Sequence, residues 1–174
     1  MKVLIIQAEY QKSYWDLNQI IRFTVKKPVF PPKELLLISI LLPITWNRKI
    51  IDLNYDRLRK NDLLEADYIF INATEKQYSS TVRLIKKCTA ANSKVIGCGP
   101  LFTEYFGEFE HLDHLVLDNI RTTLPQLIND IENSHSKKVY HSNPFFEIRK
   151  ASESYYSVKT ISGKFSENIQ LAYH

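Results

Sequence analysis

Short apolar runs alternate with segments of helical period along most of this chain, and that alternation leaves few folds open. Lys2 to Ile6 is a continuous apolar run carrying Val and Ile, the composition of a strand covered on both faces. Arg48 to Leu53, Asp67 to Ala73, Ser93 to Cys98 and His114 to Leu117 read as four further strands. Leu35 to Leu42 comes after Pro31-Pro32 and stops at Pro43, the pattern of a nearly buried helix, because proline suits a first helical turn and breaks a helix beyond it. Val82, Ile85 and Cys88 fall three residues apart, and Leu124, Leu127, Ile128 and Ile131 repeat a helical spacing. That last helix starts either at a Thr123/Gln126 capping box or earlier, at Asp118 or Asn119. Strands alternating with helices predict an α/β domain: a doubly wound, mainly parallel five-stranded sheet with helices on both faces.

In a sheet of that kind, ligands bind outside the carboxyl ends of the strands, near the point where strand order reverses. The candidate floor is then Gln7 to Tyr10 with Glu9, Leu53 and Asn54, Asn72 to Glu75, Gly97 to Leu101, and Asn119 after the fifth strand. Two of the chain's four glycines, Gly97 and Gly99, stand in the fourth of these turns, just before Pro100. Glycine permits a sharp turn or a close backbone approach, so that turn is either a ligand contact or a plain strand-to-loop corner.

With 174 residues the chain has room for one domain, which we expect over residues 1–141. Residues 142–174 form an aperiodic, polar and aromatic extension, and its Phe145, Phe146, Tyr155, Tyr156, Phe165 and Tyr173 are suited to packing or to a protein partner. A net charge of +4 spread along the chain offers no basic face for nucleic acid. Cys88 and Cys98 lack CxxC spacing, so no iron–sulfur cluster or structural zinc is expected, and a reducing compartment fits. Neither apolar run is long enough to cross a bilayer, so a soluble, cytoplasmic protein is the expectation. His111 and His114 have helical ligand spacing but no third ligand, and Asp52 has no GxGxxG before it; we read both as structural. Ser79, Ser80 and Thr81 precede a helix and read as caps before they read as an anion site.

The segments VLIIQAEY with Tyr14-Trp15, PVFPPKELLLISILLP, WNRKIIDLN, ADYIFINA, KVIGCGPLFTE, DHLVLDN and TTLPQLINDIE occur in an order covering nearly the whole chain. Together they resemble the N-terminal cobalamin-binding domain of cobalamin-dependent radical-SAM enzymes. The resemblance implies a flavodoxin-like, Rossmann-like sheet whose strand-end loops hold the corrin ring and nucleotide tail. By position, Trp15 and the Phe30-Pro31-Pro32 turn would border the ligand. Asn72, Ala73 and Thr74 would lie beneath it, and Gly97, Gly99, Pro100 and Leu101 would bring backbone close. The DxHxxG motif of another cobalamin family is absent from QAEYQKSYWD, so bound cobalamin would lack that histidine ligand.

The CxxxCxxC motif of the radical-SAM barrel is also absent, and FSENIQLAYH resembles only the approach to that barrel. Inside the module the chain departs from the family at Ala8, where proline is common, at Cys98, where glycine is usual, and at Leu117 to Arg121. Three readings stand. The first is a stand-alone cobalamin-binding-type module without catalysis of its own. The second is a ligand-free relative acting in protein interaction or regulation, and the third an accessory subunit of a separate radical-SAM protein.

Overall fold

A computed structural model of the protein describes residues 1–10, 31–91 and 93–142, all within one compact unit, Met1–Ser142. Trp15, Phe30 and the aromatic extension lie outside the described residues.

The strands are β1 (Lys2–Gln7), β2 (Asn47–Asp52), β3 (Tyr68–Asn72), β4 (Lys94–Cys98), β5 (His114–Val116) and β6 (Val139–Tyr140). All pair in parallel, in the order β2-β1-β3-β4-β5-β6. The sheet therefore has six strands where five were expected; the sixth is the two-residue edge Val139–Tyr140, inside the Val139 to His141 stretch that reads in sequence as a short strand apart from the main five. The helices are α1 (Lys33–Leu41), α2 (Lys60–Leu64), α3 (Tyr78–Thr89), α4 (Pro100–Glu104) and α5 (Ile120–Glu132), with 3-10 turns at Glu75–Gln77 and Phe106–Phe109.

Alternate residues of each strand feed two cores. Val3, Ile5, Phe70, Ile96 and Val116 pack under Leu35 and Ile38 of α1 and Leu124, Leu127 and Ile128 of α5. Leu4, Ile6, Ile69, Ile71, Val95 and Leu115 are likewise buried on the opposite face, where α3 supplies Leu84, Ile85 and Cys88. Burial on both faces explains why the strands read as unbroken apolar runs. Contrary to the expectation from its composition, helix α1 is not nearly buried. Only Leu35 and Ile38 are buried along it, while Ile40 is 76% exposed, because a helix lying on a sheet hides one side whatever its sequence.

Strand order steps one way from β1 to β2 and the other way from β3 through β6. A constant crossover hand therefore requires α1 on one face and every later helix on the other. Helix α3 obeys, whereas α5 packs beside α1. The β5-α5-β6 connection thus has the opposite hand to β3-α3-β4, against a preference of about 98% for a single hand. Local bonds hold it: Leu115 N donates to Lys138 O and Leu117 N to Tyr140 O, both at 2.8 Å. The buried Tyr140 hydroxyl donates to Asp130 at 2.9 Å and accepts from Lys137 N at 2.7 Å. Because β6 is parallel to the rest, Ser142 comes out at the carboxyl end of the sheet, where its N–H donates to Asp118 at 3.2 Å.

Candidate functional site

Reversal of strand order occurs between β1 and β3, whose last residues, Gln7 and Asn72, are register partners. Sequence neighbours cannot explain what happens there, since the side chains involved come from three elements. Asn72 Nδ2 donates to Gln7 Oε1 at 2.7 Å, and Gln7 Nε2 donates to Gln77 Oε1 at 3.0 Å. Gln77 Nε2 then donates to the Ala8 carbonyl. Gln77 Oε1 also accepts from Thr74 N at 2.8 Å and from the Thr74 hydroxyl at 3.2 Å, which closes a capping box at the turn before α3. All three amide residues are buried.

The loops around this relay are pinned as well. The Ser80 hydroxyl donates to the Glu9 carbonyl and, at 2.8 Å, to Gln77 O; Thr81 Oγ1 donates to that same Gln77 carbonyl at 2.8 Å. These hydroxyls are thus spent on backbone at the start of α3. On the other side, buried Asp52 accepts from Asn54 N at 3.0 Å and Asn54 Nδ2 at 2.7 Å, while Asn54 Oδ1 takes the Tyr10 N–H at 2.9 Å. Asp52 is a turn cap. Tyr10 and Tyr55 are left about half exposed, at 47% and 48%.

Of the residues expected to meet a ligand, the structure brings Gln7, Glu9, Asn54, Asn72, Ala73, Thr74 and Gly99 to this end of the sheet. Gly99 has a φ of 97°, and a Cβ placed there would stand 2.6 Å from Asn72 Oδ1 and 2.8 Å from the Ala73 carbonyl. Its bare Cα lets the β4 turn fold down onto the end of β3, and exposed Pro100 then opens α4. Gly97 and Leu101 differ from expectation. Gly97 is buried within β4, and the space a Cβ would need is filled by Phe102 and Leu115; Leu101 is fully buried, its N–H donating to Ala73 O at 3.1 Å. Both serve packing. Asn119 lies after β5 as the N-cap of α5, accepting from Arg121 N at 3.0 Å, so the helix starts there and not at Thr123. Half-buried Pro31 precedes α1.

Gln77 was not foreseen, although Thr74-x-x-Gln77 is a capping-box spacing that marks it. His111 and His114 do not converge: their Nδ1 atoms bond to the backbone carbonyls of Glu108 at 3.1 Å and Lys137 at 2.6 Å. A groove of about 190 Å³ lies at the opposite, amino end of the sheet, bridged by the Lys49–Asp62 ion pair at 2.7 Å. Asp62 is held below the usual carboxylate range chiefly by its hydrogen bond from Lys49. Topology, not that small groove, locates the candidate site. Among the described residues no helix is long and apolar enough to cross a membrane.

Burial pushes both thiols up to about 12, Cys98 beneath the site and Cys88 in α3. Each ionises more readily once unfolded, so the stability it contributes is complete below pH 9 and is lost as pH climbs toward about 12. We expect neither cysteine of the native chain to react with a thiol reagent near neutral pH, both to react in denaturant, and the unfolding midpoint to fall as pH passes 9. A native thiol modified as fast as a denatured one would contradict the burial of these two side chains.

No family model matches the chain, and no solved structure matches it. A curated relative described as "Uncharacterized methyltransferase sll1242", from Synechocystis sp., is 26% identical over 134 residues. The matched region takes in 76% of this chain and 25% of that protein, so the chain spans about a quarter of the length of the relative it resembles.

Proposed function

We propose that this domain is a corrinoid-binding module, holding cobalamin or a related large cofactor on the carboxyl ends of its strands and supplying no catalysis by itself. The observation that carries the reading is the convergence, at the β1/β3 reversal point, of strand ends from the segments that resemble cobalamin-binding domains: IIQAEY, IFINAT and GCGP. The match to a quarter of a protein named as a methyltransferase supports a module that serves a larger methyl-transfer enzyme. A radical-SAM protein or another catalytic unit would supply that larger activity.

The donor set at this end suits a corrinoid gripped by its edges. It offers backbone turns at Ala73 and Gly99, the rings of Tyr10 and Tyr55, and no histidine in the described loops after β1 to β4. The one thiol beneath, Cys98, is fully buried with its Sγ turned to the Ile71 carbonyl at 3.3 Å, so it is no cobalt ligand. When bound, a corrinoid supplies a cobalt–carbon bond able to carry a methyl group. The chain's own residues supply shape, water exclusion and a rigid floor.

An absorption titration of the purified chain with hydroxocobalamin and methylcobalamin tests this. Saturable spectral change with a rise in thermal midpoint is the expected result. A flat titration with no stabilisation would defeat the reading and favour the second one, a ligand-free interaction module. That alternative rests on the amides of the floor, which are already satisfied by one another.

A further inference from the structure

The two edges of the sheet are built differently. On one side β6 is two residues long, and an edge that short offers another strand almost nothing to pair with. On the other side β2 runs for six residues, Asn47–Asp52, in unbroken register with β1 and with no proline or bulge to interrupt it. Its inner side is spent: Asn47 N donates to Met1 O at 2.9 Å and Leu53 N to Gln7 O at 3.1 Å. Peptide groups alternate in direction along a strand, so those of Arg48 and Ile50, with the Asp52 N–H, point outward, where no strand lies among the described residues. The charges that could guard this edge are turned back into the domain. Arg48 donates to the carbonyls of Ser39 and Leu42 at the end of α1, and Lys49 pairs with Asp62 of α2 at 2.7 Å. On the face that α1 covers, Ile40 and Ile44 stand 76% and 91% exposed.

A second copy fits this edge. Two β2 strands related by a two-fold axis run antiparallel, and residues directly opposite one another share a face of the joint sheet. Near the middle of β2 the axis can pass at Lys49 or at Ile50. At Lys49 it sets two like charges against each other. At Ile50 it sets Arg48 opposite Asp52 of the partner subunit, twice, and Lys49 opposite Ile51 of the partner subunit, so opposite charges meet and like charges do not.

We infer that the chain pairs with a second copy of itself along the outer edge of β2, antiparallel and centred on Ile50, joining two six-stranded sheets into one. A two-fold axis perpendicular to the sheet points the carboxyl ends of the two sheets in opposite directions. Neither candidate site is covered by the pairing, and the inference stands independently of the corrinoid reading.

Light scattering during size-exclusion chromatography of the purified full chain, at rising loading concentration, reads the association, and Ile50→Pro is the test variant. Because the Ile50 N–H points outward, proline there removes the central bond between copies and no bond within the domain. The expected result is a native chain that weighs as two copies and an Ile50→Pro chain whose dissociation constant is higher by about tenfold or more. A native chain that stays a single copy at every concentration overturns the inference, and so does a dimer that Ile50→Pro leaves intact. Should the variant misfold, amide hydrogen exchange of the native chain decides instead. Protection of the Arg48 and Ile50 amides in the dimer is the expected result, and free exchange of both in the dimer overturns the inference.

Discussion

Gly99→Ala is expected to lower the unfolding free energy by about 3 kcal/mol or more, measured by urea denaturation. Two costs combine. The backbone at Gly99, with φ 97° and ψ 175°, lies in a region that residues with a Cβ avoid at about 1–3 kcal/mol. The added Cβ also meets Asn72 Oδ1 at 2.6 Å and the Ala73 carbonyl at 2.8 Å, and the second of these is backbone that cannot swing aside. Gly97→Ala is the control. Its Cβ meets the Phe102 ring at 2.5 Å and Leu115 Cδ2 at 2.9 Å, both side chains able to shift, and no positive φ is involved. We expect it to cost about 1–3 kcal/mol, as overpacking does. If Gly97→Ala proved the more damaging of the two, the division of the glycines into a turn former and a packing residue would be wrong.

That division shows what the chain's pattern could and could not reveal. Gly97 and Gly99 look alike as letters in KVIGCGP, and only the placement of Phe102 and Leu115 against one, and of Asn72 and Ala73 against the other, separates them. The five main strands were legible because burial on both faces writes continuous runs such as VLII and YIFI. Helix α2, KNDLL, was missed because five mostly polar residues carry no usable period, while β6 was legible at Val139 to His141 only as a short stretch, since two residues carry too little pattern to place it in the sheet. The α5 start was readable only as a choice among caps, which the Asn119 bond to Arg121 N resolves.

The floor of the site was legible as a list of loops and illegible as an arrangement. Gln7, Asn72 and Gln77 become one relay because β1 and β3 pair in register and α3 comes directly after, a fact about residues 65 and 70 apart in sequence. Local spacing marked Thr74 and Gln77 as a cap, yet nothing local says that the same Gln77 reaches Ala8. Buried polar networks are fixed by tertiary register, so they are where reading along a chain stops being informative.

Gln77→Leu is accordingly expected to cost about 3 kcal/mol, since it keeps the volume and deletes every polar contact of the relay's hub. Gln7 Nε2 and the Ala8 carbonyl lose their Gln77 partner in a buried setting, and Thr74 N loses its cap. Each buried unpaired group costs about 1–3 kcal/mol, and partial water access at Thr74 keeps the sum from reaching its maximum. Gln77→Glu separates lost hydrogen bonding from lost packing. A carboxylate still accepts from Gln7 Nε2 and Thr74 N, but only the neutral acid can donate to Ala8 O. Folding should therefore raise the pKa of that glutamate above its unfolded value of about 4.3. Its contribution is then complete below about pH 4.3 and lost as pH rises through the folded pKa. Urea midpoints of this variant, taken relative to the parent at each pH, should improve on acidification, while those of Gln77→Leu should stay displaced by a constant amount. A Gln77→Glu variant whose deficit does not change with pH would mean that the Ala8 bond is not what holds the β1 loop across the gap.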